Sequence, residues 1–282
     1  MRRKCCSCFW LLRGQMSDWL HSSRTWIMGL VLLTLTYLFV SGFKENLRMD
    51  RLYAYAGETL YKYLSLGFGN ILLSSAMFLI MVSEVPRRIA FQNDMLIRAS
   101  RAKWLRAQVL FCLAIVACMI ALMTIFSMLL TLPVLSPGRG WSDLARIAAD
   151  PDAMYEPQFV PAYIRAIPPW QASLLSVIIL FAFWFTMVLV ILMFSLAGKP
   201  NHGLMLYVFL LVLDITLMWE LIPGVHLPSH FATLGQISAH FPERELQVAA
   251  TALCAYAGID LAMIGVMHLQ VRKMDMRFTG KD

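Results

Sequence analysis

The apolar residues of this chain are gathered into six blocks, approximately Thr25–Gly42, Ser65–Val82, Gln108–Leu132, Ala172–Ala197, Leu204–Ile222 and Val248–His268. Each is about 18–26 residues long, the length of α-helix needed to cross a hydrocarbon core roughly 30 Å thick. In lipid the backbone N–H and C=O groups need partners within the protein, which leaves helices or a closed barrel. Barrel strands alternate apolar and polar residues in shorter segments. Leu174–Ile191 is instead apolar all round. The expectation is an all-α polytopic membrane protein, a single transmembrane domain over 1–282 with six spans. Composition agrees. The chain is 59% hydrophobic and 15% charged, with mean hydropathy +0.65, against roughly 45–50% apolar and about 25% charged in soluble domains.

Short membrane loops rich in Lys and Arg stay on the cytoplasmic side. With the N-terminus inside, the cytoplasmic segments hold 16 of the 24 basic residues and the external ones hold 8. Nine acids fall outside and five inside, with Asp214, Glu220 and Asp260 in or near spans. The net charge of +7 is therefore read as a topology signal, with both termini cytoplasmic and the bacterial cytoplasmic membrane as the location. Nucleic-acid binding is the other use of a basic chain, and no soluble domain is left to carry it. The basic N-terminus lacks the short apolar core and small-residue cleavage site of a signal peptide. Phe9, Trp10, Leu12, Met16, Trp19 and Leu20 recur at spacings of three and four among polar residues. That pattern predicts an amphipathic helix in the inner headgroup layer, with a partly ordered tail as the alternative.

The hydrophilic connections differ in character. The external loop Phe43–Leu64 is rich in tyrosine, as suits a membrane–water interface. Gly67-Phe68-Gly69-Asn70 offers small residues for close helix approach. The external segment 133–171 carries seven prolines, which argue against a long helix there. Gly198-Lys199-Pro200-Asn201-His202-Gly203 is a tight turn between the fourth and fifth blocks. In Pro223–Gln247, Leu227, Phe231, Leu234, Ile237 and Phe241 recur at helical spacings. Such a stretch either dips into the outer leaflet where protein shields it or forms a surface loop with a short helix.

Between Glu84 and Gln108 lie six basic residues, Arg87, Arg88, Arg98, Arg101, Lys103 and Arg106, flanked by apolar blocks. Ile89, Phe91, Met95, Leu96, Ala99 and Trp104 interleave with them, so a helix here is both amphipathic and cationic. Retention on the inner side explains the charge but requires no bulky apolar stripe. The order Glu84-Val85-Pro86-Arg87-Arg88, then Asn93 to Arg101, then Trp104-Leu105-Arg106-Ala107-Gln108 resembles the coupling segment of type-2 ABC transporter permeases. The layout is similar too: an inner N-terminal amphipathic helix, six spans and a semi-polar stretch before the last span. The long proline-rich external segment departs from the family, which usually has a short connection there.

The resemblance implies an exporter-type permease subunit, paired with a second permease half as a homodimer or heterodimer. It also implies separate cytoplasmic ABC ATPase subunits, which bind ATP and Mg, so no cofactor is expected in this chain. Arg88, Phe91, Met95, Leu96, Arg98, Arg101 and Trp104 are the expected ATPase-docking residues, by helix-in-groove recognition with charge steering. The chain has no Gly-x-x-x-x-Gly-Lys-Ser/Thr, no His-Glu-x-x-His and no Gly-x-Ser-x-Gly, so it is not expected to be an enzyme.

Asp214 and Asp260 fall near the centres of the last two blocks. A charge at mid-bilayer costs about 2.5–3.5 kcal/mol on the lenient insertion scale, and no block contains a Lys or Arg. With Asn70 they are candidates for a translocation path, through a polar seam that includes Ser74, Ser75 or Thr216; packing contacts between helices are the alternative. His226, His230 and His240 surround Pro228, which breaks the helical face a metal site would need. Cys5, Cys6 and Cys8 lack a second pair at zinc spacing. Two other functions stay open: a proton-coupled secondary transporter using Asp214 and Asp260, and a membrane assembly subunit without transport. An intramembrane enzyme ranks after these.

Overall fold

The structure is a computed structural model that describes residues 8–49, 53–65, 67–83, 85, 100–136, 138, 140–143, 145, 167–218, 231–234, 237, 241 and 244–273. Helices dominate: α1 (Cys8–Leu20), α2 (Ser23–Met49), α3 (Ala56–Ser65), α4 (Gly67–Val82), α5 (Arg101–Thr131), α6 (Pro169–Leu196), α7 (Pro200–Met218) and α8 (Glu245–Lys273). Two short strands, β1 (Ala54–Tyr55) and β2 (Leu135–Ser136), pair in parallel with Ala54 opposite Leu135. Four helices are long and apolar enough to cross a membrane, over Ser23–Gly42, Arg101–Val134, Pro169–Leu196 and Glu245–Arg272. The protein is thus a helical membrane protein.

Local chemistry sets the helix ends. Ser100 caps α5, its side chain accepting from the Lys103 amide at 3.4 Å. The helix therefore starts seven residues before the apolar block, and the last part of the basic segment is its first two turns. Pro169 and Pro200 open α6 and α7, where a missing N–H costs nothing. Gly198, at φ +74°, makes the turn between those helices.

α6 is the centre of the bundle. In its most apolar window 61% of residues are buried, against 17% for α2, and it packs on α3, α4, α5, α7 and α8. Trp184, fully buried, stacks on Phe78 of α4 with ring centroids 4.8 Å apart and planes 6° from parallel. α1 lays Leu11, Gln15 and Trp19, one residue per turn, toward the bundle and packs on α5. The helix forms, but its faces are not divided as the pattern predicts: Gln15 is buried with Leu11 and Trp19, while Phe9, Trp10 and Leu20 are exposed.

The tyrosine-rich loop is corrected. Residues 56–65 form α3, and Tyr61 and Tyr63 are buried in protein at 2% and 0% exposure. The reason is specific pairing: the Tyr63 hydroxyl lies 3.0 Å from Thr36 Oγ1 of α2, and Tyr61 meets Trp141 edge to face at 5.5 Å. Described residues shortly before α8 are likewise built into the protein. Leu234 and Ile237 are fully buried, and Phe231 stacks on Phe241. The Ile237 amide donates to Thr233 O and the Phe241 amide to Ile237 O, a helical repeat. Leu227 lies outside the described residues.

Candidate functional site

Polar chemistry collects at three levels of the bundle. At one end, here the Arg101 end, the flanks of the basic segment are tied to other helices. Ser195 near the end of α6 donates to the Val85 carbonyl at 3.1 Å. Arg101 Nη1 donates to the Arg272 carbonyl at the end of α8, at 2.7 Å. Arg24 at the start of α2 reaches Ser83 Oγ at 3.4 Å. The beginning of α2, the flanks of the basic segment and the end of α8 therefore share one end of the molecule. Arg101 is exposed. Trp104 is not; at 8% exposure it belongs to the main core, so its indole braces the bundle from within and offers no ring for docking. Arg88, Phe91, Met95, Leu96 and Arg98 lie outside the described residues.

Halfway along the bundle, Asp260 of α8 is 9% exposed, and its carboxyl lies 2.8 Å from Thr186 Oγ1 of α6. The same hydroxyl lies 3.0 Å from Ala182 O. The sequence reading missed Thr186 as a partner; its signal was one hydroxyl inside an otherwise apolar run. Ser75 serves a different contact. Its Oγ accepts from Trp184 Nε1 at 3.1 Å and its carbonyl accepts from the Tyr207 hydroxyl at 3.0 Å, which joins α4, α6 and α7. Asn70 lies on α4 and Asp214 on α7, but their side chains lie outside the described set. Gln108 of α5 is fully buried, and among the described residues neither amide atom has a hydrogen-bond partner.

The opposite end is built around Glu58, in the first turn of α3 and fully buried. Ser142 donates twice to its carboxylate, from the amide at 3.0 Å and from Oγ at 2.6 Å. Ser142 Oγ in turn accepts from the Ala145 amide at 3.2 Å. Trp141 Nε1 donates to the Ile167 carbonyl at 3.0 Å, and Ser173 Oγ donates to Gly57 O. Burial pushes the Glu58 carboxyl above its ordinary value, although the Ser142 donors, the Tyr55 backbone and the neighbouring Lys62 charge pull it down. The proline-rich segment is thereby fastened to α3 at 141–145 and again through β1 and β2. Glu58 escaped the sequence reading because it sits in a stretch that reads as loop.

Among the described residues no group of His, Cys, Asp and Glu is arranged to hold a metal ion. His226, His230 and His240 lie outside that set. Comparison with known proteins identifies no relative: no family model matches the chain, and neither does any curated protein or solved structure.

Proposed function

We propose that this chain is the six-span permease subunit of an ATP-driven exporter of the type-2 ABC class, joined by a second permease half and powered by separate cytoplasmic ATPase subunits. In this reading α4 and α7 complete the six crossings, α3 lies in the external connection before α4, and the Arg101 end faces the cytoplasm. The carrying observation is the double tether of the basic segment. Its entry, at Val85, is bonded to α6, and its exit, at Arg101, is bonded to α8. A motor that grips the segment between those points pulls on the central helix and the last helix together. Docking falls to Arg88, Phe91, Met95, Leu96 and Arg98, with Arg101 at the rim. The test is purification of the tagged chain from native membranes. An ATP-hydrolysing subunit is expected to accompany the wild type and to be released by Met95→Glu or Leu96→Glu. If no nucleotide-binding subunit accompanies the wild type, the proposal fails.

The Asp260–Thr186 contact favours a second reading, proton-coupled transport. The Thr186 hydroxyl donates toward both Ala182 O and Asp260 Oδ1, so its one proton is shared; a proton on Asp260 would give each contact its own. Uptake into vesicles driven by a pH gradient without ATP, and abolished by Asp260→Asn or Asp214→Asn, would support this reading over the first.

A further inference from the structure

A groove of about 520 Å³ runs along the outside of α8, walled on one side by the segment before that helix. Phe231 and Phe241, stacked with centroids 5.7 Å apart, form that wall, and the Tyr256 hydroxyl ties it to the helix through Phe231 O at 3.4 Å. The floor is apolar or small, chiefly Val248, Ala252, Ala255 and Ile259. One end is different: Arg244 and Gln247 line it, and both are exposed. Glu245, next in sequence, is buried and does not line the groove, and among the described residues no acid forms an ion pair with Arg244.

Length identifies the occupant. From Arg244 to Ile259 the helix rises about 22 Å, at roughly 1.5 Å per residue. One leaflet contributes about 15 Å of hydrocarbon, half of the core, and the headgroup layer lies beyond it. α8 is long and apolar enough to cross a membrane, and Arg244 immediately precedes its first residue. The groove therefore begins at headgroup level with a cation and continues, apolar, through the depth of one leaflet. Its volume is in the range of sites that hold a small amphipathic molecule.

We infer that the groove is a binding site for one acyl chain of an anionic phospholipid from the surrounding bilayer, whose phosphate is paired with Arg244. This stands apart from the transport reading and holds whichever transport mechanism is correct. A zwitterionic headgroup brings its own cation beside the phosphate, so the positive charge of Arg244 at the mouth favours a headgroup of net negative charge.

The test uses the full chain reconstituted in nanodiscs of equal palmitoyl-oleoyl phosphatidylglycerol and phosphatidylcholine, released into the gas phase for native mass spectrometry. The wild type is expected to retain one phosphatidylglycerol at least five-fold over phosphatidylcholine. Arg244→Gln should erase the preference while a lipid is still retained. Ala255→Trp, at an exposed position on the groove floor, should remove the retained lipid. Leu261→Trp, on an exposed part of α8 that does not line the groove, should leave retention unchanged. Equal retention of the two lipids by the wild type would overturn the inference. So would retention that survives Ala255→Trp, or an Ala255→Trp variant that dissociates a dimer without losing lipid.

Discussion

Replacing Ser142 by Ala should open the far end of the molecule without unfolding it. The hydroxyl lost makes the 2.6 Å bond to Glu58 and accepts from the Ala145 amide. A hydrogen bond to a charged group contributes about 1.5–3 kcal/mol, and losing a side-chain cap costs about 0.5–2 kcal/mol. The Ser142 amide keeps its own bond to the carboxylate, so the two losses combine incompletely. A local destabilisation of about 2–4 kcal/mol follows, which is on the order of a 30- to 700-fold rise in opening. Hydrogen exchange of a peptide spanning 141–145, followed by mass spectrometry, reads this directly. Peptides from α6 should not change.

The same site sets a pH dependence whose sign can be worked out. Burial raises the docked Glu58 carboxyl above its ordinary value, so the docked state binds a proton more tightly than the opened one. Docking is therefore firmest below the ordinary carboxylate pKa and weakens as pH rises through the raised value. The charged group that bears on it is Lys62, on the same helix; α6 presents the neutral Trp170 and Ser173 near Gly57. Exchange at 141–145, corrected for its intrinsic pH dependence, should rise with pH in the wild type and flatten in Glu58→Gln. If Ser142→Ala exchanges like the wild type, or if protection grows with pH, the reasoning about this contact is wrong.

Three further substitutions probe the rest of the frame. Gly57→Ala would place a Cβ 2.7 Å from the Trp170 amide nitrogen and 2.8 Å from its Cα, a backbone clash expected to cost about 1–3 kcal/mol; Gly14→Ala meets nothing within 4 Å and should stabilise by about 0.5–1 kcal/mol, and thermal melts in detergent compare the two. Thr186→Val strips Asp260 of its hydroxyl partner and should lower the melting temperature by several degrees, roughly 1–3 kcal/mol for a buried group left without its bond. Gln108→Met fills the same space without an amide and should raise the melting temperature; a drop would show that the amide has a partner among the residues outside the described set.

Much of this architecture was legible because apolar blocks of membrane length have few ways to fold. The cores of α2, α5, α6 and α8 fall where those blocks lie. Less legible was the stretch 56–65: it reads as part of an external loop, yet Glu58, Thr59 and Lys62 are all buried. Glu58 is held by a partner far away in sequence, Ser142, and single-chain periodicity carries no information on contacts of that range. The same holds for Thr186, one hydroxyl within a wholly apolar run, whose meaning appears only when α8 brings Asp260 beside it. Trp104 shows the opposite error. Its spacing within a cationic stripe marked it as a docking group, but α5 starts three residues earlier and turns the ring into the core.

Whether the two ends of the molecule communicate depends on α6, which is bonded at both. Ser173 in its first turns holds Gly57 of α3, and Ser195 near its end holds Val85. Ser173 and Ser195 are 22 positions apart, a helical rise of about 33 Å, far beyond direct interaction. Lesions so distant should add within about 0.5 kcal/mol unless one stiff element carries both. A double-mutant cycle of Ser142→Ala with Ser195→Ala, read by exchange at 141–145, measures that term. If α6 moves as a rigid rod, loosening its Val85 anchor changes the protection of the far segment and alters the cost of Ser142→Ala by more than that margin. Strict additivity would mean that the tether at the Arg101 end acts locally, and the lever would then have to run through α8 and its bond to Arg101.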